Sequence, residues 1–267
     1  MRASASRKSG GREAEEAFVA AMSRGPKTSL VVAQQIVRDT ARKGLQPGDL
    51  LPPEKAMLEE YQIGRGTLRE GLRLLEFQGM IALKPGPKGG PVLLDPDASH
   101  LASTIILLMQ LQNASLNTIV EARTALEPVI CRLAAERISD ENLQELKQSV
   151  DRMQQSFDTA DIDTFLETNK QFHDVIAWST GNALFGYLTD ALLRITGGTV
   201  MGVDHPAPLR ETTLKAHTQI YEALNSHDAD LSEDRMRDHI NEYVRYAERK
   251  FPELLSQVLP WNQALGG

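Results

Sequence analysis

Three histidines stand on apolar helical stretches of this chain. His173 follows Asn169 by four residues, so on a helix the two share a face. Phe165, Leu166, Phe172 and Ile176 surround them in sequence. His217 stands among Leu214, Ile220 and Leu224, and His239 beside Met236 and Ile240. A buried imidazole needs a hydrogen-bond partner or a metal. Three imidazoles from three helices, with the amide oxygen of Asn169, would make a four-ligand set for a divalent ion with positions open to a ligand. The same spacing also fits three hydrogen-bonded core histidines. His100, His205 and His227 fall at linkers or element ends and carry no such pattern.

A second set lies between Leu51 and Gly79. Two short helices are expected at Glu54–Tyr61 and from Gly66 or Thr67 to Phe77, with Gln62-Ile63-Gly64 as the turn. Arg65, Thr67 and Arg69 sit within about one turn of the second helix's start, where a helix-turn-helix meets the major groove. Arg can grip guanine or clamp a phosphate, and Thr can reach either. Lys55 opens the preceding helix, in reach of the DNA backbone. Gly79 stands where a C-cap glycine belongs. Ile81–Leu83 and Pro91–Leu94 then flank a Gly-rich tip, the pattern of a β-hairpin wing. Gly86 and Lys88 at that tip suit an approach to the minor groove.

These residues need two different scaffolds, and the charge distribution divides the chain the same way. The net charge of the 267 residues is −7. Residues 1–27 carry +3, residues 28–94 carry +2, and residues 95–267 carry −12. A cationic front with an anionic back is expected when only the front meets phosphate. Residues 1–27, rich in Ser, Gly, Arg and Ala, read as a disordered basic tail with a short helix at Glu13–Met22. Leu30–Lys43 has helical periodicity. Asp95-Pro96-Asp97 reads as a linker.

Beyond the linker only helical patterns remain: about 98–112, 116–137, 140–158, 161–179, 182–199, 207–225 and 232–255. Ser139 and Ser232 are the expected caps of the third and the last. The fold class is therefore mainly α: a winged helix-turn-helix domain at 28–94, then an antiparallel all-helical bundle at 98–255. The single cysteine, Cys131, excludes an intrachain disulfide and fits a reducing cytoplasm. No apolar run reaches the roughly 18 residues of a membrane helix, and no signal peptide is expected.

The segment PPEKAMLEEYQIGRGTLREGLRLLEFQGMI resembles the winged helix-turn-helix of GntR-type transcription regulators. Their pattern runs Pro-x-Glu-Arg-x-Leu-Ala, then Val-Ser-Arg-x-x-Val-Arg-x-Ala-Leu, then Leu-x-x-x-Gly. The resemblance implies that Lys55, Arg65, Thr67, Arg69 and Gly86 face DNA. The chain departs from the pattern at Lys55, where Arg is usual, at Gly64, where Ser or Thr is usual, and at Gly66, where a polar residue is usual.

The later run Glu121-Ala-Arg-Thr-Ala-Leu-Glu127, then Asn169-Lys-Gln-Phe-His173 with Gly181-Asn182, then His217 and His239, resembles the all-helical FCD ligand-binding domain of the FadR subfamily. Many of its members bind a metal through Asp or Asn, a His four residues later, and two further His. The resemblance therefore implies a metal at Asn169, His173, His217 and His239. Asn169 stands where Asp is common, which removes one negative charge from the site. Zinc is the ion expected, with nickel and manganese as alternatives. Arg123 matches a position that often points into the effector pocket, where it would suit a carboxylate.

The chain thus reads as a homodimeric, cytoplasmic DNA-binding regulator. It would repress from a double-stranded, roughly palindromic operator under control of a small carboxylate effector. The alternatives are a metal-dependent hydrolase-like enzyme, a sensor of the metal itself, and a metal-free regulator of acyl ligands. No acidic residue is evidently paired with the histidines as a general base, which argues against the enzyme.

Overall fold

The computed structural model describes residues 26–86, 89–197 and 205–261. The expected tail and its short helix lie outside these residues, apart from the tail's last two. The chain divides into two compact units, one ending at Pro96 and the other starting at Asp97.

The first unit contains α1 (Pro26–Lys43), α2 (Glu54–Tyr61), α3 (Arg65–Phe77), β1 (Ile81–Lys84) and β2 (Gly90–Leu93). Val32, Ala33, Ile36, Met57, Leu68, Leu72 and Leu75 pack their apolar faces into one core. Gly71 lets α1 approach α3 closely: a Cβ there would stand 3.1 Å from the Ser29 carbonyl oxygen. The turn after α2 uses Gln62 at φ 51°, and the Ile63 amide returns to the Leu58 carbonyl. Helix α3 starts at Arg65, a residue or two earlier than periodicity places it, with Gly64 as an N-cap that offers no side chain. Gly79, at φ 68°, ends it: the Met80 amide reaches Leu75 and the Gly79 amide reaches Glu76. That paired return is a Schellman motif, and the left-handed residue it needs favours glycine. β1 and β2 pair antiparallel, Ile81 opposite Leu93 and Lys84 opposite Gly90, forming the expected wing.

The second unit is all-helical among the described residues. It holds α4 (Ser99–Leu111), α5 (Asn117–Ala135), α6 (Asp140–Asp158), α7 (Ile162–Ser179), α8 (Ala183–Thr196), α9 (Ala207–Asn225), α10 (Ala229–Lys250) and α11 (Pro252–Ser256). Side-chain caps define four starts: Ser139, Asp161, Asn182 and Asp228 each accept a backbone amide of the first turn. The sequence places the start of α10 at Ser232. The helix begins one turn earlier because Asp228 accepts the Leu231 amide, while Ser232 is fully buried within the helix. It also stops at Lys250, because Pro252 cannot continue it.

One core joins α5, α6, α7, α9 and α10 through Ala134, Leu146, Met153, Phe165, Phe172, Ile176, Ile220 and Met236. A second core joins α4, α5, α8, α10 and the residues from Leu255 to Trp261. The packed residues run past Leu255, since Leu259 is buried and the Trp261 indole donates to Ser103 on α4 at 2.8 Å. No helix among the described residues is long and apolar enough to cross a membrane.

Candidate metal centre and nucleic-acid interface

Helices α7, α9 and α10 bring His173, His217 and His239 together in the first of these cores. The ligating nitrogens of the three all lie within 4.8 Å of one another. His217 Nε2 and His239 Nε2 are 3.3 Å apart. The His217 ring stacks on Phe172 with centroids 3.9 Å apart. That contact fixes its plane, and its Nδ1 is buried without a hydrogen bond.

Burial, followed by the neighbouring His239 and His173, holds the pKa of His217 well below the ordinary range. Burial and His173 push His239 down to about 3. Both rings are therefore neutral at pH 7, the form that ligates a metal. Asn169 lies half-buried one turn before His173. Two neutral nitrogens at 3.3 Å, with a third imidazole beside them, fit a divalent cation.

Two residues join this group that sequence reasoning left out of it. Glu127 Oε2 stands 2.6 Å from His173 Nδ1, an ion-pair distance without the angle of a hydrogen bond. Its other oxygen accepts from Arg123 Nε at 2.5 Å, and Arg123 Nη1 donates to Thr196 Oγ1 at 2.8 Å. Burial alone would raise the Glu127 pKa. The charges of Arg123 and His173 outweigh it and hold the carboxyl well below the usual range. Tyr243, one turn beyond His239, has its phenol pushed up by burial and drawn back by Arg123. Arg123 is thus buried and bonded to Glu127, rather than free in an open pocket. The spacing of Arg123 and Glu127, four apart on a helix, is a signal for their pairing, but it does not distinguish a buried pair from an exposed one.

Outward from the cluster, Lys170 pairs with Asp174 on the same helix and with Asp190 on α8 at 2.7 Å. Asp190 also accepts the buried Ala98 amide at 3.2 Å. His227, a histidine without the core pattern, bonds the Ala135 carbonyl at 2.9 Å.

The first unit presents its sequence-selected residues differently. Lys55, Arg65 and Arg69 are exposed and Thr67 is half-buried. Arg69 Nε lies 3.6 Å from Glu54 Oε1 across the turn from α2. Arg73, one turn beyond Arg69, is exposed on the same side of α3. It was not singled out from the sequence, although the four-residue spacing of 65, 69 and 73 marks it. Gly86 stands at the wing tip at φ 105°. Lys88 lies outside the described residues.

Comparison with known proteins matches residues 28–87 to the bacterial regulatory proteins of the gntR family and residues 118–242 to the FCD domain. The HTH-type transcriptional regulator YcbG of Bacillus subtilis is 32% identical over 216 residues, covering 80% of this chain and 87% of YcbG. The HTH-type transcriptional repressor NanR of Enterobacter sp. (strain 638) is 24% identical over 222 residues, covering 80% of this chain and 83% of NanR. The solved structure of Streptococcus agalactiae GntR superposes with a TM-score of 0.65 at 22% identity. It covers 81% of this chain and 99% of that one.

Proposed function

The chain belongs to the GntR family of bacterial regulatory proteins, with an FCD domain as its second unit, and on that premise we propose a ligand-controlled repressor. It is a DNA-binding transcription regulator and not an enzyme, as its relatives are HTH-type regulators. In the proposed reading it acts in the cytoplasm as a homodimer on a roughly palindromic operator. A single short helix reads few base pairs, and two-fold pairing doubles the site. Lys55, Arg65, Thr67 and Arg69 contact the DNA, with Gly86 and Lys88 reaching from the wing. Repression follows the relatives named as repressors.

The observation that carries the regulatory part is the convergence of three buried histidines, two of them held neutral. His173, His217 and His239, with the Asn169 amide, would hold a divalent ion, with zinc expected first and nickel or manganese as alternatives. The ion would supply a charge that anchors an effector carboxylate. Glu127 orients the His173 ring, as carboxylates behind metal-bound histidines do. Arg123, occupied at Nε and Nη1, keeps its second amino group for the carboxylate. A change at the cluster would pass along α7 to Lys170, Asp190 and the Ala98 amide at the start of the helical unit. The effector controls DNA binding only by preferring one arrangement of the dimer.

The test is operator binding by the full chain, read by fluorescence anisotropy against a panel of small carboxylates. One acid should weaken binding by about 5- to 150-fold, the usual range of such coupling, and the His173→Ala, His217→Ala variant should bind DNA without responding. Release that persists in that variant would defeat the reading.

A further inference from the structure

Arg210 lies in the first turn of α9 and is only 7% exposed. Its Nε and Nη1 are buried and have no hydrogen-bond partner. Among the described residues no carboxylate pairs with it, whereas the other buried arginine, Arg123, is matched by Glu127. Two aromatic rings lie beside Arg210. Its guanidinium carbon stands 5.6 Å from the Phe157 ring centre at the end of α6 and 5.9 Å from that of Phe165 in α7. A cation over an aromatic face recovers only part of what desolvating a guanidinium costs. Two such faces leave the buried donors unanswered, and an unanswered buried donor calls for an explanation.

Arg210 also belongs to the first turn of a 19-residue helix, whose dipole favours an anion at that end, although the Leu209 and Arg210 amides already return to the Pro206 carbonyl and Pro208 has no N–H, so the guanidinium and not the backbone would be the donor. His205 and Pro206 are half-exposed and Ala207 and Pro208 exposed, so solutes can approach this end. Arg210, Leu214 and His217 share one face of α9, which sets Arg210 about two turns from the histidine cluster.

We infer that Arg210 receives an oxyanion, the carboxylate or phosphate of a small ligand, at a second recognition point separate from the histidines. A planar guanidinium is the group suited to either anion. The rings of Phe157 and Phe165 hold it in place. The inference does not rest on the metal reading.

Thermal unfolding of the full chain tests it, with millimolar sodium acetate or inorganic phosphate added at an ionic strength fixed with sodium chloride. Wild type should gain a saturable rise in Tm of a few degrees, and whichever anion gives the larger rise identifies the preferred oxyanion. Arg210→Met should melt higher than wild type in chloride alone, because an unmatched buried charge is gone, and should lose the part of the saturable rise that His217→Ala keeps. Arg210→Lys keeps a cation over the rings without the planar fork, and its midpoint should weaken about ten-fold; this variant decides if the Met variant does not fold. His217→Ala should keep the response, which separates this site from the histidine cluster. The inference is overturned if neither anion gives wild type a saturable rise. It is equally overturned if Arg210→Met melts lower in chloride and responds as wild type does, or if Arg210→Lys responds with an unchanged midpoint.

Discussion

The two units place the polar groups of their proposed sites in opposite environments. In the winged unit Lys55, Arg65 and Arg69 stand in solvent, and the one ion pair they form among the described residues, Arg69 with Glu54, is loose at 3.6 Å. In the helical unit Arg123, Glu127, His173, His217 and His239 are buried in contact with one another. A side chain held in water for a macromolecular partner contributes little to the fold. A polar group inside a core must be matched, so there the site and the fold are one structure. Substitutions should separate the units by this rule: loss of partner binding alone in the first, loss of stability together with ligand response in the second.

The largest effect should come from Glu127→Ala. It leaves the Arg123 guanidinium buried without its carboxylate, a change that typically costs about 3–5 kcal/mol. Urea unfolding of the helical transition would register it, and a loss under about 1 kcal/mol would mean the pair is not buried as a unit. The second effect is pH-dependent and applies to chelator-treated protein. His239 has a folded pKa of about 3, below its unfolded value of 6.5. The unfolded chain therefore binds more protons between these values, and stability falls as pH drops from 6.5 toward 3. The urea midpoint should decline over this window, and His239→Gln should flatten the decline. A midpoint independent of pH there would place these rings in water.

Arg65→Ala should act on DNA alone. A base contact is worth about 1–3 kcal/mol of binding, while the melting temperature should barely move. Anisotropy and calorimetry on one sample would show both, and a large fall in Tm would break the contrast between the units. The smallest effect belongs to Glu54→Gln. Exposed pairs contribute under about 1 kcal/mol, so stability should hold while Arg69, freed from its carboxylate, binds DNA slightly tighter at low salt.

Much of the first unit could be read from sequence because its signals are local. The glycine at 79 ends a helix by backbone conformation, and the strands around a Gly-rich tip can pair only as neighbours. The histidines could be read as inward-facing because each interrupts an apolar stripe. Glu127 could not, since an acid four residues from an arginine has the same spacing on a wet helix as on a dry one. Arg210 could not either, since nothing in its spacing shows that Phe157 and Phe165 of other helices cover it. The start of α10 was misplaced because Ser232 and Asp228 are both good caps, and only packing shows that Ser232 faces inward. Arg73 was available from spacing alone. What stays out of reach of sequence in each of these cases is burial, which is set by other helices.

The central claim is that the three histidines hold an ion that controls the effector site. Elemental analysis of purified, tag-free protein tests it most directly, with the His173→Ala, His217→Ala variant alongside. The account predicts about one divalent ion per chain in the wild type and none in the variant. A wild type that carries no ion, yet binds its operator and releases it to a ligand, would contradict the account.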